Sequence, residues 1–440
     1  MSDPSAERST APAGPPLAGA ARAALDRVFR RDRGSILANL IRLTGEFEHA
    51  EDALQDAVSE ALDRWPHSGV PRQPAAWLHT AARRRAIDRI RRSERFREKA
   101  AVLSRLEGAQ GAAEGLPDDA VVADDRLRLI FTCCHPALPI EARIALTLKT
   151  IVGLTTQEIA RAFLIEEPAL AQRIVRAKRK ITSAGIPYRV PEPADLPERL
   201  AAVLQVIYLI FTEGHFSSGD AELVRSELSD EALRLGASLV ELLPGEPEAR
   251  GLLALLLLAD ARRHARLDEA GRLVLLERQD RSRWDRGKIA HGLLELERAL
   301  GERRPGPFQI QAAIAAVHAV APRADATDWA EILALYDQLT IVAPTPVVAL
   351  NRAVAVAMSD GPEAGLRLLD DLGREPGLRT YGPYQVARAD LLRRAGREVE
   401  ALAAYEAAVE MATNPAERAY LQSWVDALGD GARGRREAAV

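Results

Sequence analysis

"LTTQEIARAFLIEEPALAQRIVRAKRKI", residues 154–181, changes character halfway along. Its first half has the apolar spacing of a short buried helix, with Thr155 placed to cap a helix containing Glu158, Ile159, Ala160 and Phe163. A break at "LIEE" follows, with Glu166 or Glu167 as N-cap and Pro168 at the first helical position, where its missing amide proton costs nothing. The next helix sets Leu170, Ile174, Ala177 and Ile181 along one face and Gln172, Arg173, Arg176, Arg179 and Lys180 on the other. A short buried helix, a tight turn and a helix with a basic exposed face read as a helix-turn-helix, whose second helix fits the DNA major groove. Arginine pairs with guanine edges and glutamine with adenine, while a Lys/Arg tail holds phosphates.

The rest of the chain agrees with this helical reading. Apolar residues make up 47% of the 440 and aromatics only 5%, and Ala, Leu, Arg and Glu dominate, so the expected fold is all-α over two or three domains. The net charge of −4 conceals segregation. Residues 46–63 hold seven acids and no Lys or Arg, whereas residues 83–99 hold nine bases against three acids. Local fields of opposite sign imply two different contacts. The longest apolar run, "LLALLLLA" at 252–259, falls far short of a membrane span, so a soluble protein with no membrane contact is expected. The adjacent Cys133 and Cys134 are the only cysteines; they exclude a disulfide scaffold, fit a reducing cytoplasm and read as small core residues, with no further ligands at metal-site spacing. No metal or cofactor is implied.

Composition divides the chain into five parts. Residues 1–20, rich in Ala, Pro, Ser and Gly, read as a disordered tail. Residues 21–96 form a first helical block, punctuated by Gly45 and by the loop "PHSGVPRQP" (66–74). Residues 97–123 have linker composition, 124–187 form a second compact block, and the prolines of "IPYRVPEPADLP" (186–197) precede a long series of apolar helices over 188–440. In that last part "ALNRAVAVAMSDGPEAGLRLLDDL" (349–372) and "QVARADLLRRAGREVEALAAYEAAV" (385–409) echo each other as helix, Gly turn, helix, as tetratricopeptide (TPR) repeats do.

The second basic element continues the helix of "PAAWLHTAARRRAIDRIRR" (74–92), which is expected to bury Trp77, Leu78, Ala81, Ala82, Ile87 and Ile90. Aromatic and Arg side chains together can stack on unpaired bases and follow a single strand. The ordering is specific: an acidic amphipathic helix, a loop, a Trp and an Arg cluster, a linker and a helix-turn-helix. "FEHAEDALQDAVSEALDRW", "PAAWLHTAARRRAIDRIRR" and "LTTQEIARAF…ALAQRIVRAKRKI" together resemble regions 2 and 4 of extracytoplasmic-function (ECF) sigma factors of bacterial RNA polymerase. The layout resembles the subgroup with a large C-terminal TPR-like extension, and "RLIFTCCHPAL" and "LLERQDRSRWDR" look like that subgroup's signatures.

The resemblance implies a role for each matching residue. The helix around Asp52, Gln55 and Asp56 would dock on the clamp helices of the polymerase beta-prime subunit. Trp77, His79, Arg83, Arg84, Asp88, Arg91 and Arg92 would lie in the segment that opens and reads the minus-ten element of the promoter. Gln172, Arg173, Arg176, Arg179 and Lys180 would read the minus-thirty-five element. ECF factors commonly have Asn where Arg84 stands, and Gly and Ser in the turn where Leu164 and Glu166 stand. The extension would bind a protein partner or contact the sigma regions of its own chain, modulating their activity. Two rival functions are an enzyme, built on Glu213, His215 and Asp220 of "FTEGHFSSGD", and a helix-turn-helix repressor or activator with a TPR-like partner domain. The first lacks nucleophile, base and metal spacing and any Gly-rich phosphate loop. The second gives no reason for the acidic helix or the Trp/Arg block.

Overall fold

The computed structural model of the chain describes residues 16–92, 119–163, 165–215, 226–269, 272–374, 378–412 and 414–438. The protein is all-α; among the described residues there is no strand, only a lone bridge between Leu267 and Leu273. No helix among them is long and apolar enough to cross a membrane. Contacts divide the chain into two units, residues 1–159 with 167–203, and residues 160–166 with 204–440.

In the first unit the long α1 (Pro16–Thr44) packs against the helices of residues 47–68, 74–92 and 119–133. It buries Leu25, Val28, Ile36, Leu37, Leu40 and Ile41 on one face, as their spacing requires. It begins within the segment that reads as a tail, whose residues 1–15 lie outside the described residues. Gly45, at φ +74°, ends it. Helix α2 (Phe47–Ser68) runs past Pro66, which the sequence assigns to a loop; Gly69, at φ +84°, closes the helix by donating to the Trp65 carbonyl at 3.0 Å. Helix α3 (Pro74–Arg92) starts on a proline and buries Leu78, Ala81, Ala82, Ala86 and Ile90, leaving Trp77 and Ile87 half-buried. Of the segment with linker composition, residues 97–118 lie outside the described residues and the remainder opens α4 (Asp119–Cys133).

Helix α5 (Ile140–Thr147) continues into a π-helical turn, Leu148–Val152, which passes close to α1. A Cβ on Gly34 would stand 2.9 Å from the Ile151 carbonyl oxygen, so only glycine admits the approach. Helices α6 (Thr156–Ala162) and α7 (Glu167–Ser183) follow. The first unit runs on to Val203, inside α8 (Leu196–His215), whereas the sequence marks its boundary near residue 187. Two side chains in between explain the difference. The Tyr188 hydroxyl donates to the Ala38 carbonyl at 2.8 Å, and Arg199 donates to the Phe131 carbonyl at 2.7 Å.

Unit 2 continues with α9 (Ser226–Leu242), α10 (Pro247–Asp260), α11 (Arg286–Gly301), α12 (Pro307–Val320) and α13 (Trp329–Val342). The apolar run of 252–259 is α10, buried on nearly every side because α9, α11 and α12 all pack on it. Helices α14 (Pro346–Asp360), α15 (Pro362–Leu372), α16 (Gly382–Arg394) and α17 (Glu398–Met411) form two successive pairs turned by Gly361 and Gly396, both at positive φ. Their Ala- and Leu-rich faces share one core with α18 (Pro415–Ala438).

A buried carboxylate ties the first unit together. Asp125 on α4 is 1% exposed and takes a hydrogen bond from Arg42 Nε at 2.9 Å and one from Asn39 Nδ2 at 3.4 Å. Asn39 Oδ1 then faces His79 Nε2 at 3.1 Å, so the imidazole donates from Nε2 and α1, α3 and α4 share one network. Replacing Asp125 by Ala leaves Arg42 and Asn39 without their acceptor and should cost about 3 kcal/mol of stability, read by urea unfolding; a loss below about 0.5 kcal/mol, the size of an ordinary surface change, would show the network to be dispensable. Burial, then the Arg83 and Arg42 charges, lowers the His79 pKa from 6.5 to about 4. The unfolded chain therefore binds the proton first, and the stability that neutral His79 contributes is full above pH 6.5 and lost as pH falls toward 4. Hydrogen exchange of α3 amides should accelerate across that window, and His79→Gln should flatten the dependence.

Candidate nucleic-acid interface

Thr155 and Glu158 form a reciprocal cap at the start of α6: the Thr155 amide donates to Glu158 Oε2 at 2.6 Å, and the Glu158 amide to Thr155 Oγ1 at 3.1 Å. Helix α7 then begins at Glu167 with Pro168 in its first turn, and Leu170, Ile174, Ala177 and Ile181 are its buried face. Gln172, Arg176 and Arg179 are exposed along one stripe, Lys180 is exposed beside it and Arg173 is half-buried. None of these five side chains is engaged by a described residue, so a row of donors is left for something outside the unit. Val175, 41% exposed, lies within the same stripe and is a residue the sequence reading does not flag. Leu164, in the turn, lies outside the described residues.

Lys178 behaves differently from its neighbours. Its Nζ donates to Glu51 Oε2 on α2 at 2.5 Å, and the two side chains are only 13% and 24% exposed. It follows Ile174 by one helical turn, on the flank of the buried stripe, and that position is the sequence signal for an inward-facing lysine. The basic helix is thus anchored on the acidic one by one residue while its outer stripe stays open.

The acids of α2 also meet the bases of α3. Arg89 donates to Asp52 at 2.7 Å and to Asp56 at 2.8 Å, and Arg85 to Glu60 at 2.9 Å. Gln55, exposed between them, makes no such contact among the described residues. The sequence shows a stretch, residues 46–63, with acids and no Lys or Arg; the structure shows that charge partly balanced across the helix pair. Trp77 sets its ring edge-on to the buried Trp65, with centroids 5.4 Å apart. Beside it opens a cleft of about 410 Å³ lined by Trp77, Thr80, Arg84, Arg85, Asp88 and Glu60. Arg84 and Arg91 are exposed and Arg83 is half-buried, while the side chain of Arg92 lies outside the described residues. His79 turns inward to Asn39, apart from the cleft.

Elsewhere, Cys133 and Cys134 are both buried and free, and burial raises their pKa, that of Cys134 to about 11, so both remain thiols. Among the described residues no three His, Cys, Asp or Glu side chains gather as a metal site. His215 is buried, stacked on Phe211 at 5.1 Å and held neutral by burial and by Arg266, Arg262 and Arg263; Asp220 lies outside the described residues.

Comparison with known proteins accounts for the order of these elements. Residues 28–96 match Sigma-70 region 2, residues 128–181 match Sigma-70, region 4, and residues 199–300 match a family of unknown function (DUF6596). An uncharacterised protein of Rhizobium meliloti (strain 1021) is 46% identical over 408 residues, 92% of this chain and 96% of that one. The ECF RNA polymerase sigma factor SigL of Mycobacterium tuberculosis is 32% identical over 169 residues, 37% of this chain and 90% of that one. No solved structure matches the chain. The region 2 match covers the helices carrying the acidic row and the Trp cleft, the region 4 match covers the open basic stripe, and the chain belongs to the sigma-70 family of sigma factors.

Proposed function

We propose that the protein is an ECF-type sigma factor that binds core RNA polymerase and directs transcription from its own set of promoters. The observation that carries this reading is the uncommitted polar stripe of Gln172, Arg176 and Arg179 on a helix whose opposite face is fully buried. A helix so presented offers guanine- and adenine-pairing groups to a major groove, with Arg173 and Lys180 at its edges for phosphates and Val175 for a thymine methyl. This would be the minus-thirty-five contact.

The cleft beside Trp77 has the volume and chemistry for one unpaired base, with an aromatic ring to stack on and Arg84 and Asp88 to meet polar edges. Arg83, Arg91 and Arg92 would follow the strand of the minus-ten element. His79, bonded inward, supports this site by positioning α3 and not by touching DNA. Asp52, Gln55 and Asp56 would meet the clamp helices of the beta-prime subunit, either displacing Arg89 or engaging the acid–Arg89 pair as it stands. The C-terminal helical pairs would act as a TPR-like module that modulates the factor through a protein partner or its own sigma regions, and the work of the whole chain lies in the cytoplasm.

Three measurements test this. The purified chain should co-purify with core polymerase and start promoter-dependent transcription; DNA binding without transcription would identify an ordinary regulator. Arg176→Ala should weaken one minus-thirty-five position by about 1–3 kcal/mol, whereas an equal loss on all promoter variants would make it a phosphate contact. Asp56→Arg sets a second arginine beside Arg89 and should abolish co-purification while the melting temperature is kept; unchanged co-purification removes the docking assignment.

A further inference from the structure

Unit 2 contains a cavity of about 320 Å³ that no role in transcription accounts for. Leu255, Leu258, Leu276 and Ile314 supply apolar wall, and Tyr208, Arg262, His318 and Tyr336 supply polar groups. Its volume lies in the range that small organic ligands occupy, ~300–1,000 Å³.

Arg262 is the residue that needs explaining. The arginines around it are all committed. Arg263 bonds Asp260 and Asp230, Arg266 donates to the His215 carbonyl, and Arg281 donates to the His318 and Ala321 carbonyls while covering the Trp284 ring at 4.5 Å. The buried acid of this stretch, Asp260, is taken on both oxygens, by Arg263 at 2.8 Å and by Lys288 at 2.5 Å. Arg262 has no hydrogen-bond or ion-pair partner among the described residues. Burial and the Arg281 charge pull its pKa down to about 10, which still leaves it cationic at neutral pH. The Arg262 side chain is half-buried and lines the cavity, so its donors are left for whatever enters there.

The neighbouring groups share this condition. The hydroxyls of Tyr208 and Tyr336 and the His318 ring nitrogens have no hydrogen-bond partner among the described residues either. Burial raises both phenols, Tyr336 to about 12, so they remain donors, and burial with Arg262 and Arg281 lowers His318 to about 4, so it adds no charge. The cavity therefore offers one positive charge, neutral donors and apolar walls. One guanidinium balances one negative charge, in the planar geometry of a carboxylate, and the walls require an apolar body. We infer that the cavity of unit 2 is a binding site for a small monocarboxylate with an apolar body, held by Arg262 with Tyr208 and Tyr336.

The test uses the full chain without polymerase or DNA, so its outcome is independent of the sigma assignment. Two matched pairs serve as probes in calorimetric titration: 3-phenylpropionate against 3-phenylpropionamide, and hexanoate against hexanamide. At least one acid should bind at least tenfold more tightly than its amide. Arg262→Met and Arg262→Gln should each erase that preference, and both unliganded variants should melt no lower than the wild type, because no described residue takes a hydrogen bond or ion pair from the Arg262 side chain. Saturation with the acid should also raise the His318 pKa, read by NMR. Absence of acid preference in both pairs, its survival in both variants, or a melting temperature that falls in both would overturn the assignment. An acidic peptide that displaced the acids from Arg262 would overturn it too, in favour of a protein partner.

Discussion

Asp125 is almost wholly buried, with Oδ2 bonded by Arg42 and Asn39 and Arg128 3.6 Å from Oδ1, and the architecture of the first unit depends on how this carboxylate is held. A carboxylate removed from water needs a cation and directed hydrogen bonds. The residues that supply them, Arg42 and Asn39, lie on α1, while Tyr188 caps the same place by donating to the Asp125 and Ala38 carbonyls. The α4 helix, on which the region 4 match begins, is thereby joined to a helix of the region 2 match, and the two matched blocks, separate in composition, fold as parts of one unit.

Within that unit charge is used twice. The acidic row of α2 and the basic rows of α3 and α7 look like surfaces for other molecules, and their segregation along the chain supports that reading. Some of those charges also hold the helices to one another, through Arg89 on Asp52 and Asp56, Arg85 on Glu60 and Lys178 on Glu51. Arg89 and its partners remain well exposed, and ion pairs of that kind contribute little to stability and exchange partners readily. The Lys178–Glu51 pair is more enclosed and orients α7. The outer stripe of α7 carries none of this internal work.

Unit 2 follows a different economy of space. Its helices are rich in Ala and Gly at the contacts, so backbones approach closely; a Cβ on Gly251 would meet the Gln309 backbone nitrogen at 2.8 Å. Some polar groups inside such packing are satisfied locally, as Asp260 is by Arg263 and Lys288, while Ser229 Oγ and Gln309 Oε1 have no hydrogen-bond partner among the described residues. Arg262, half-buried, has no hydrogen-bond or ion-pair partner among the described residues, and it lines a cavity.

Much of this was legible in the residues. The periodicity of Leu170, Ile174, Ala177 and Ile181 determined the buried face of α7, and Thr155 with Glu158 determined the cap before it, because both are local geometry repeated every turn or every three residues. The acidic and basic blocks were visible because charge is additive along the chain. What only the tertiary structure decided are the long-range pairings: Lys178 with Glu51 across 127 positions, Tyr188 with Ala38 across 150, His79 turned to Asn39, and Arg262 left without a partner among the described residues. Periodicity says which side of a helix is buried. Which neighbour fills that side, and which polar group stays unanswered, depends on how the helices close on one another in space.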